Sequence, residues 1–265
     1  MLAARAEAVG FAALLVADHP GSSASPFVAL GAAASVTSTI ALGTYVVNAG
    51  VRDPVHVASD VATLDVVSGG RALLGLGAGH TPAEWEMSGL RYPSAGERVD
   101  HLFRFVERVR ARLQDPEVLP RPVQPRIPLL LGGGNRRLLA YAVAHADIVA
   151  LSGLGRTLAD GHTHEVRWRA ADVDALAASV RGAACVDVLV QHVEITDERE
   201  AVAARFAEDV PSLTVDDLLA CPFVLIGTED EIAAQVRSHH ERWGIDRFTV
   251  RAPALDAIAA VIARL

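Results

Sequence analysis

The residues whose types and spacing could do chemistry are most concentrated in I-P-L-L-L-G-G-G-N-R-R-L-L-A, residues 127–140. Pro128 opens a short apolar run, 129–131, of the right length for a strand buried on both faces. Gly132, Gly133 and Gly134 follow, and Asn135 starts a helix-period segment with Leu138, Leu139, Ala142 and Val143 on one side. A strand, a glycine turn and a helix start leave backbone N–H groups and a positive dipole end aimed one way, with no side chain in front of them. That is a place to hold a phosphate, and Arg136 and Arg137 strengthen the field there. The same residues would also make a plain tight βα turn, so the surrounding elements have to decide.

The chain is 265 residues long, 51% hydrophobic and 21% charged, which suits one α/β barrel with a large core and no disordered blocks. Net charge is −8 with dispersed basic residues, which argues against a nucleic-acid surface. All 24 basic residues are arginine, so a lysine Schiff base and P-loop chemistry are excluded. Cys185 and Cys221 are far apart and form no C-x-x-C, so neither a disulfide framework nor a zinc site is suggested, and a reducing cytoplasm is expected. The N-terminus lacks an apolar signal core, and the Ala/Val-rich stretch 30–51 is interrupted by polar residues, so no membrane partner is expected. The expected partner is a small-molecule substrate, with a homodimer left open.

Taken in order, residues 2–9 read as a helix stopped by Gly10. Residues 11–17 read as a buried strand ending at Asp18-His19-Pro20, and Ser25-Pro26 as N-cap and first-turn proline of a helix. Residues 39–47 are β-branched and apolar, a second strand. Pro54 starts a helix carrying Val57, Val61, Leu64 and Val67, and residues 71–77 form the next strand, running into Ala78-Gly79-His80. A long loop with Trp85 and Tyr92 precedes a helix over about 96–113, with Val99, Leu102, Phe103, Val106, Val109 and Leu113 on one face. Beyond the glycine stretch come a strand at 147–151, a long polar loop at 152–171, a helix at 172–181, a strand at 187–195 and a helix at 198–208. Thr228-Glu229-Asp230-Glu231 is a capping box opening a helix to Trp243, followed by a strand at 248–250 and a helix at 255–265. Seven strands, with a shorter apolar piece at 223–226, alternate with helices. That pattern implies a doubly wound sheet or a (β/α)8 barrel.

The segments G-F-A-A-L-L-V-A-D-H-P, G-T-Y-V-V-N-A-G-V-R-D-P, V-S-G-G-R-A-L-L-G-L-G-A-G-H and P-L-L-L-G-G-G-N-R-R-L-L-A-Y-A-V-A-H-A-D-I-V resemble, in order and spacing, the luciferase-like monooxygenase superfamily. F-V-L-I-G-T-E-D-E-I-A does so too, and the likeness is strongest to the actinobacterial branch that uses the deazaflavin coenzyme F420. The resemblance implies a (β/α)8 TIM barrel with the cofactor at the C-terminal ends of its strands, and a non-proline cis bulge matching Tyr45–Val46 behind the ring. It implies that His19, beside Asp18, faces the hydride-exchanging carbon and that a histidine there hydrogen-bonds a substrate oxygen or passes a proton. The bland alternative is a turn in which Asp18 caps a helix and His19 is merely exposed. His80 stands where the family's sugar-phosphate dehydrogenases have a carboxylate acid, a departure that puts that substrate class in doubt. Gly77, Ala78 and Gly79 match backbone passing close to the cofactor, Asn48 a polar contact to the ring, and Gly133, Gly134, Asn135 and Arg136 the phosphate grip.

Trp85 and Tyr92 read either as pocket walls or as packing under the barrel rim, and Arg52 as half of a structural ion pair. His162 and His164 read as solvated. Relatives carry a strand and most of a helix before the position of Met1, so the barrel's first strand is expected to be missing and the chain as given to be truncated. The leading expectation is an oxidoreductase moving hydride between coenzyme F420 and a small organic substrate. The rivals are a reduced-FMN monooxygenase, a non-catalytic flavin- or deazaflavin-binding protein and, furthest behind, a metal-dependent barrel hydrolase.

Overall fold

The computed structural model describes residues 2–158 and 164–265, which gather into two units, one within residues 1–132 and the other within 133–158 and 164–265. The first unit opens with helix α1 (Leu2–Ala8), stopped by Gly10 at φ 94°. Strand β1 (Ala13–Val16) follows, then α2 (Pro26–Ala34), β2 (Ala41–Thr44), β3 (Val47–Asn48), α3 (Pro54–Ser68), β4 (Ala72–Gly77), α4 (Pro82–Met87), α5 (Ala95–Gln114) and β5 (Leu129–Gly132). All pairings are parallel, in the order β1-β2-β4-β5, with β3 also on β4. The strand ends after β1, β3, β4 and β5 therefore lie along one edge of the sheet, where α/β folds carry their sites.

The single strand expected at 39–47 is two. Leu42 pairs with Ala72 and Val47 with Leu76, so five steps on one side oppose four on the other, a one-residue bulge. The ladder lapses there, and the buried Thr44 hydroxyl compensates: it donates to the Gly75 carbonyl at 2.8 Å and accepts the Gly75 N–H at 2.9 Å. Within the bulge the Tyr45–Val46 peptide is cis, as the resemblance implies.

Several expectations are corrected by packing. The strand at β1 is half-buried along its length rather than buried. Ser25 makes no side-chain cap bond. On α3, Val67 is exposed and Asp65 takes the inward place, fully buried and accepting from Ala72 N and from the Gln124 backbone and side chain. On α5, Phe105 joins the buried stripe of Val99, Leu102, Val106 and Val109, three residues on from Leu102, whereas Phe103 is only half-buried. The loop after β4 contains α4, a helix too short for periodicity to reveal.

The second unit runs α6 (Arg136–His145), β6 (Ile148–Leu151), β7 (Leu154–Thr157), β8 (His164–Val166), α7 (Ala170–Ser179), β9 (Val186–Leu189), β10 (His192–Ile195), α8 (Arg199–Asp209), α9 (Val215–Ala220), β11 (Val224–Gly227), α10 (Glu229–Trp243), β12 (Arg247–Thr249) and α11 (Leu255–Ile262). Strand β9 lies between β6 and β12, and β10 pairs with β11, all parallel. The strand expected over 187–195 thus changes partners midway: Val190 N–H donates to Thr249 O and Gln191 N–H to Phe223 O. The supposed long loop at 152–171 contains the antiparallel β7–β8 pair and the buried Trp168, stacked on Phe223. His164 belongs to β8, whereas His162 lies outside the described residues. The capping box of α10 is present as expected, with Thr228 and Glu231 bonded reciprocally. No helix among the described residues is long and apolar enough to cross a membrane.

Candidate active site

Within the first unit, the segments just past β1, β3 and β4 carry Asp18-His19, Asn48 and Gly77-Ala78-Gly79-His80. Asp18 is 2% exposed, and its carboxylate accepts from Arg52 Nη2 at 2.6 Å, Arg52 Nε at 3.0 Å and Asn48 N–H at 3.3 Å. With both oxygens engaged, the Asp18 carboxylate holds Arg52 and the Asn48 backbone. It caps no helix. Arg52 is the structural ion-pair partner that the sequence suggested.

His19 is half exposed, and its Nδ1 lies 2.7 Å from Oε1 of Glu84, a residue the sequence analysis passed over. Glu84 is 6% exposed, on α4, and its other oxygen accepts from Asn48 Nδ2 at 2.6 Å. Asn48 Oδ1 in turn accepts the Gly50 N–H at 2.9 Å. Burial alone would raise the Glu84 carboxyl. Hydrogen bonds from His19 and Asn48, with the fields of the His19 and His80 imidazoles, outweigh it and hold Glu84 below the usual carboxylate value. An ionised carboxylate only accepts, so Nδ1 of His19 is its protonated nitrogen and Nε2 is the one that can take up a proton. Asn48, expected to contact a ring system, is buried and serves as the link that fixes Glu84.

His80 is exposed, with its ring 6.1 Å from that of His19 at an interplanar angle of 87°. Its carbonyl accepts from the Tyr92 hydroxyl at 2.9 Å, and Arg98 stacks on the Tyr92 ring at 4.3 Å. Trp85 is 5% exposed and edge-on to Tyr92, so packing, not a pocket wall, is its part. Two glycines of the β4 end are required by the protein's own packing. A Cβ on Gly77 would stand 2.6 Å from Val46 Cγ2. One on Gly79, at φ +73°, would stand 2.1 Å from Asn48 Oδ1. Tyr45, Val46, Ala78 and Gly79 are half-buried beside them, a small, largely apolar surface at the strand ends.

Gly132 ends β5 in the first unit. In the second unit, Gly133, Gly134 and Arg136 line a cavity of about 550 Å3 with Ser152, Gly153 and Arg167. Not all amides of this turn face outward. Gly133 N–H donates to Ala150 O, and the Asn135 side chain caps α6 by accepting from Arg137 and Leu138 N–H at 2.9 and 3.3 Å. The expectation of an unencumbered row of N–H groups is corrected accordingly.

A family model described as luciferase-like monooxygenase matches residues 1–213. An F420-dependent glucose-6-phosphate dehydrogenase of Amycolatopsis mediterranei is 28% identical over 179 residues, 59% of this chain and 54% of that one. The chain spans about half the length of the curated relatives it matches. Among solved structures, a monooxygenase of Streptomyces bottropensis superposes with a TM-score of 0.76 at 20% identity, over 99% of this chain and 91% of the other. The coenzyme F420-dependent tetrahydromethanopterin reductase of Methanopyrus kandleri gives 0.75 at 19% identity, over 99% and 94%.

Proposed function

Because the chain belongs to the luciferase-like monooxygenase family, with the α/β barrel fold of that family, we propose that it is an oxidoreductase moving hydride between coenzyme F420 and a small organic substrate. The observation that carries this is the hydrogen-bonded chain His19–Glu84–Asn48 at the strand ends, which fixes the Nδ1 side of a half-exposed imidazole against a buried carboxylate. The deazaflavin, when bound, supplies a ring carbon that gives or takes hydride. Tyr45, Val46, Ala78 and Gly79, half-buried at the strand ends, offer a largely apolar surface for a planar ring. In the second unit, Gly133, Gly134, Asn135 and Arg136 have the chemistry to hold a phosphate, with Arg136 supplying the charge.

The chain's own part is proton handling. Glu84 stabilises the imidazolium and orients the ring. His19 Nε2 accepts the proton of a substrate hydroxyl or returns one to a carbonyl oxygen. Asp18 and Arg52 neutralise each other and keep the backbone of Asn48 in place.

The rival reading is a reduced-FMN monooxygenase on the same fold, and a likeness of fold alone does not choose between the two. The F420-dependent enzyme among the sequence relatives favours the deazaflavin. Purified protein is mixed separately with F420 and FMN, passed through a desalting column and read by fluorescence. Retention of F420 with turnover of reduced F420 against a panel of acceptors supports the proposal. Retention of FMN alone overturns it. Tight F420 binding without turnover would make the protein a carrier and not an enzyme.

A further inference from the structure

We propose that Trp85 is a positioning residue for the His19–Glu84 pair: by resting on Gly50 it fixes which way the Asn48 side-chain amide faces, so that Glu84 receives an N–H from it. The inference rests on the reading of that pair as the proton-handling groups. Its starting point is a close approach. A Cβ on Gly50 would stand 1.9 Å from Trp85 Cζ2 and 2.3 Å from Cη2, so the indole already occupies the place of a side chain. Gly50 is not one of the glycines with a positive φ, so the ring, and not the backbone, demands glycine there. Trp85 is 5% exposed, and its Nε1 has no hydrogen-bond partner among the described residues, so packing holds the indole. Tyr92 backs it edge-on, with Arg98 over the Tyr92 ring.

The direction of the amide follows from Gly50. Its backbone N–H can only donate, and it donates to Asn48 Oδ1 at 2.9 Å, which turns Nδ2 toward Glu84 Oε2 at 2.6 Å. In the reversed amide two oxygens would meet at Glu84 and two N–H groups at Gly50, and the carboxyl would need a proton to satisfy the contact. A neutral Glu84 has no charge to set against the His19 imidazole. Helix α4 has six residues, too few to stand on its own, and consecutive residues on it make both contacts, Glu84 with the Asn48 amide and Trp85 with Gly50. Loss of the ring therefore frees Gly50 to move and removes what orients the amide.

The test follows the carbon-13 signal of the Glu84 carboxyl in cofactor-free protein, assigned by its loss in E84Q, together with hydrogen exchange of the Gly50 amide. In the wild type Glu84 should titrate below the ordinary glutamate value. In W85A its midpoint should rise, and Gly50 exchange should speed about tenfold, the loss expected for one hydrogen bond. W85F, whose shorter ring reaches part of the way, should recover part of both. V109A, which opens a gap on the buried face of α5, should lower the unfolding temperature and leave the Glu84 midpoint in place. An unmoved midpoint in folded W85A, or an equal rise in V109A, would overturn the inference. Should W85A not fold, G50A and G50A/W85F decide: the added methyl should raise the midpoint, and shortening the ring to Phe should lower it again. Additive effects of the two changes would overturn the inference. F420 retention is measured separately on the wild type. Its failure would count against the proposed cofactor and leave the titration to decide the role of Trp85.

Discussion

Glu84 is the residue on which the proposed chemistry turns, because one carboxylate both orients His19 and ties it to Asn48. Replacing it by glutamine keeps the shape and removes the charge. E84Q should fold as the wild type does and lose about 100-fold or more in turnover, the range for misplacing a general acid or base. Steady-state rates with reduced F420, read beside circular dichroism, check this, and a loss under threefold would contradict it. In the second unit, His239 is buried between Trp243 and Phe248, and burial with the Arg242 charge lowers its pKa from 6.5 to about 4. The unfolded chain takes up that proton near pH 6.5, while the folded chain resists it until about pH 4. Stability from this group is therefore full above pH 6.5, falls through that window and levels below it, by about 3 kcal/mol in all. Urea midpoints measured from pH 7.5 to 4 should fall more steeply in the wild type than in H239F. Parallel curves would refute the assignment. Asp18 and His19 were legible as a pair through resemblance, but Glu84 was not. A glutamate in the first turn of a helix reads as an ordinary dipole partner, and only the fold brings it to an imidazole 65 residues away.

The site elements are set by short contacts that leave no room for change. Gly79 needs both its left-handed backbone and the absence of a Cβ, since Asn48 Oδ1 occupies that space. G79A should displace Asn48 and, through it, Glu84, at a cost of about 1–3 kcal/mol in stability and with loss of the His19 ring's fixed tautomer. Thermal unfolding and histidine ring spectra check the two halves of that expectation, and an unchanged ring spectrum would break the link between Gly79 and the site. Long periodic elements such as α3, α5 and α10 were readable because caps and apolar spacing agree along them. Short α4 and α9 were not, having too few turns to show a period. The bulge that splits β2 from β3 was expected only through resemblance, because residues 39–47 carry an unbroken strand pattern. Its compensation by Thr44 is a tertiary hydrogen bond that no local pattern announces.

At the level of the whole molecule, the absence of lysine excluded lysine chemistry, and the order of several weak motifs carried the family, which the match over residues 1–213 bears out. The substrate was not legible, because it depends on how side chains from separate segments meet. A cofactor that binds only the folded chain stabilises it in proportion to its concentration. At 100 times its dissociation constant F420 should add about 2.7 kcal/mol and raise the unfolding midpoint by roughly 5–10 °C, with FMN giving no comparable rise. A larger rise with FMN would favour the monooxygenase reading. The most direct measurement is a crystal structure of the protein soaked with F420. The deazaflavin ring is expected against Val46 with its reacting carbon within reach of His19 Nε2. Clear density for F420 elsewhere, with Val46 and His19 left uncovered, would contradict it.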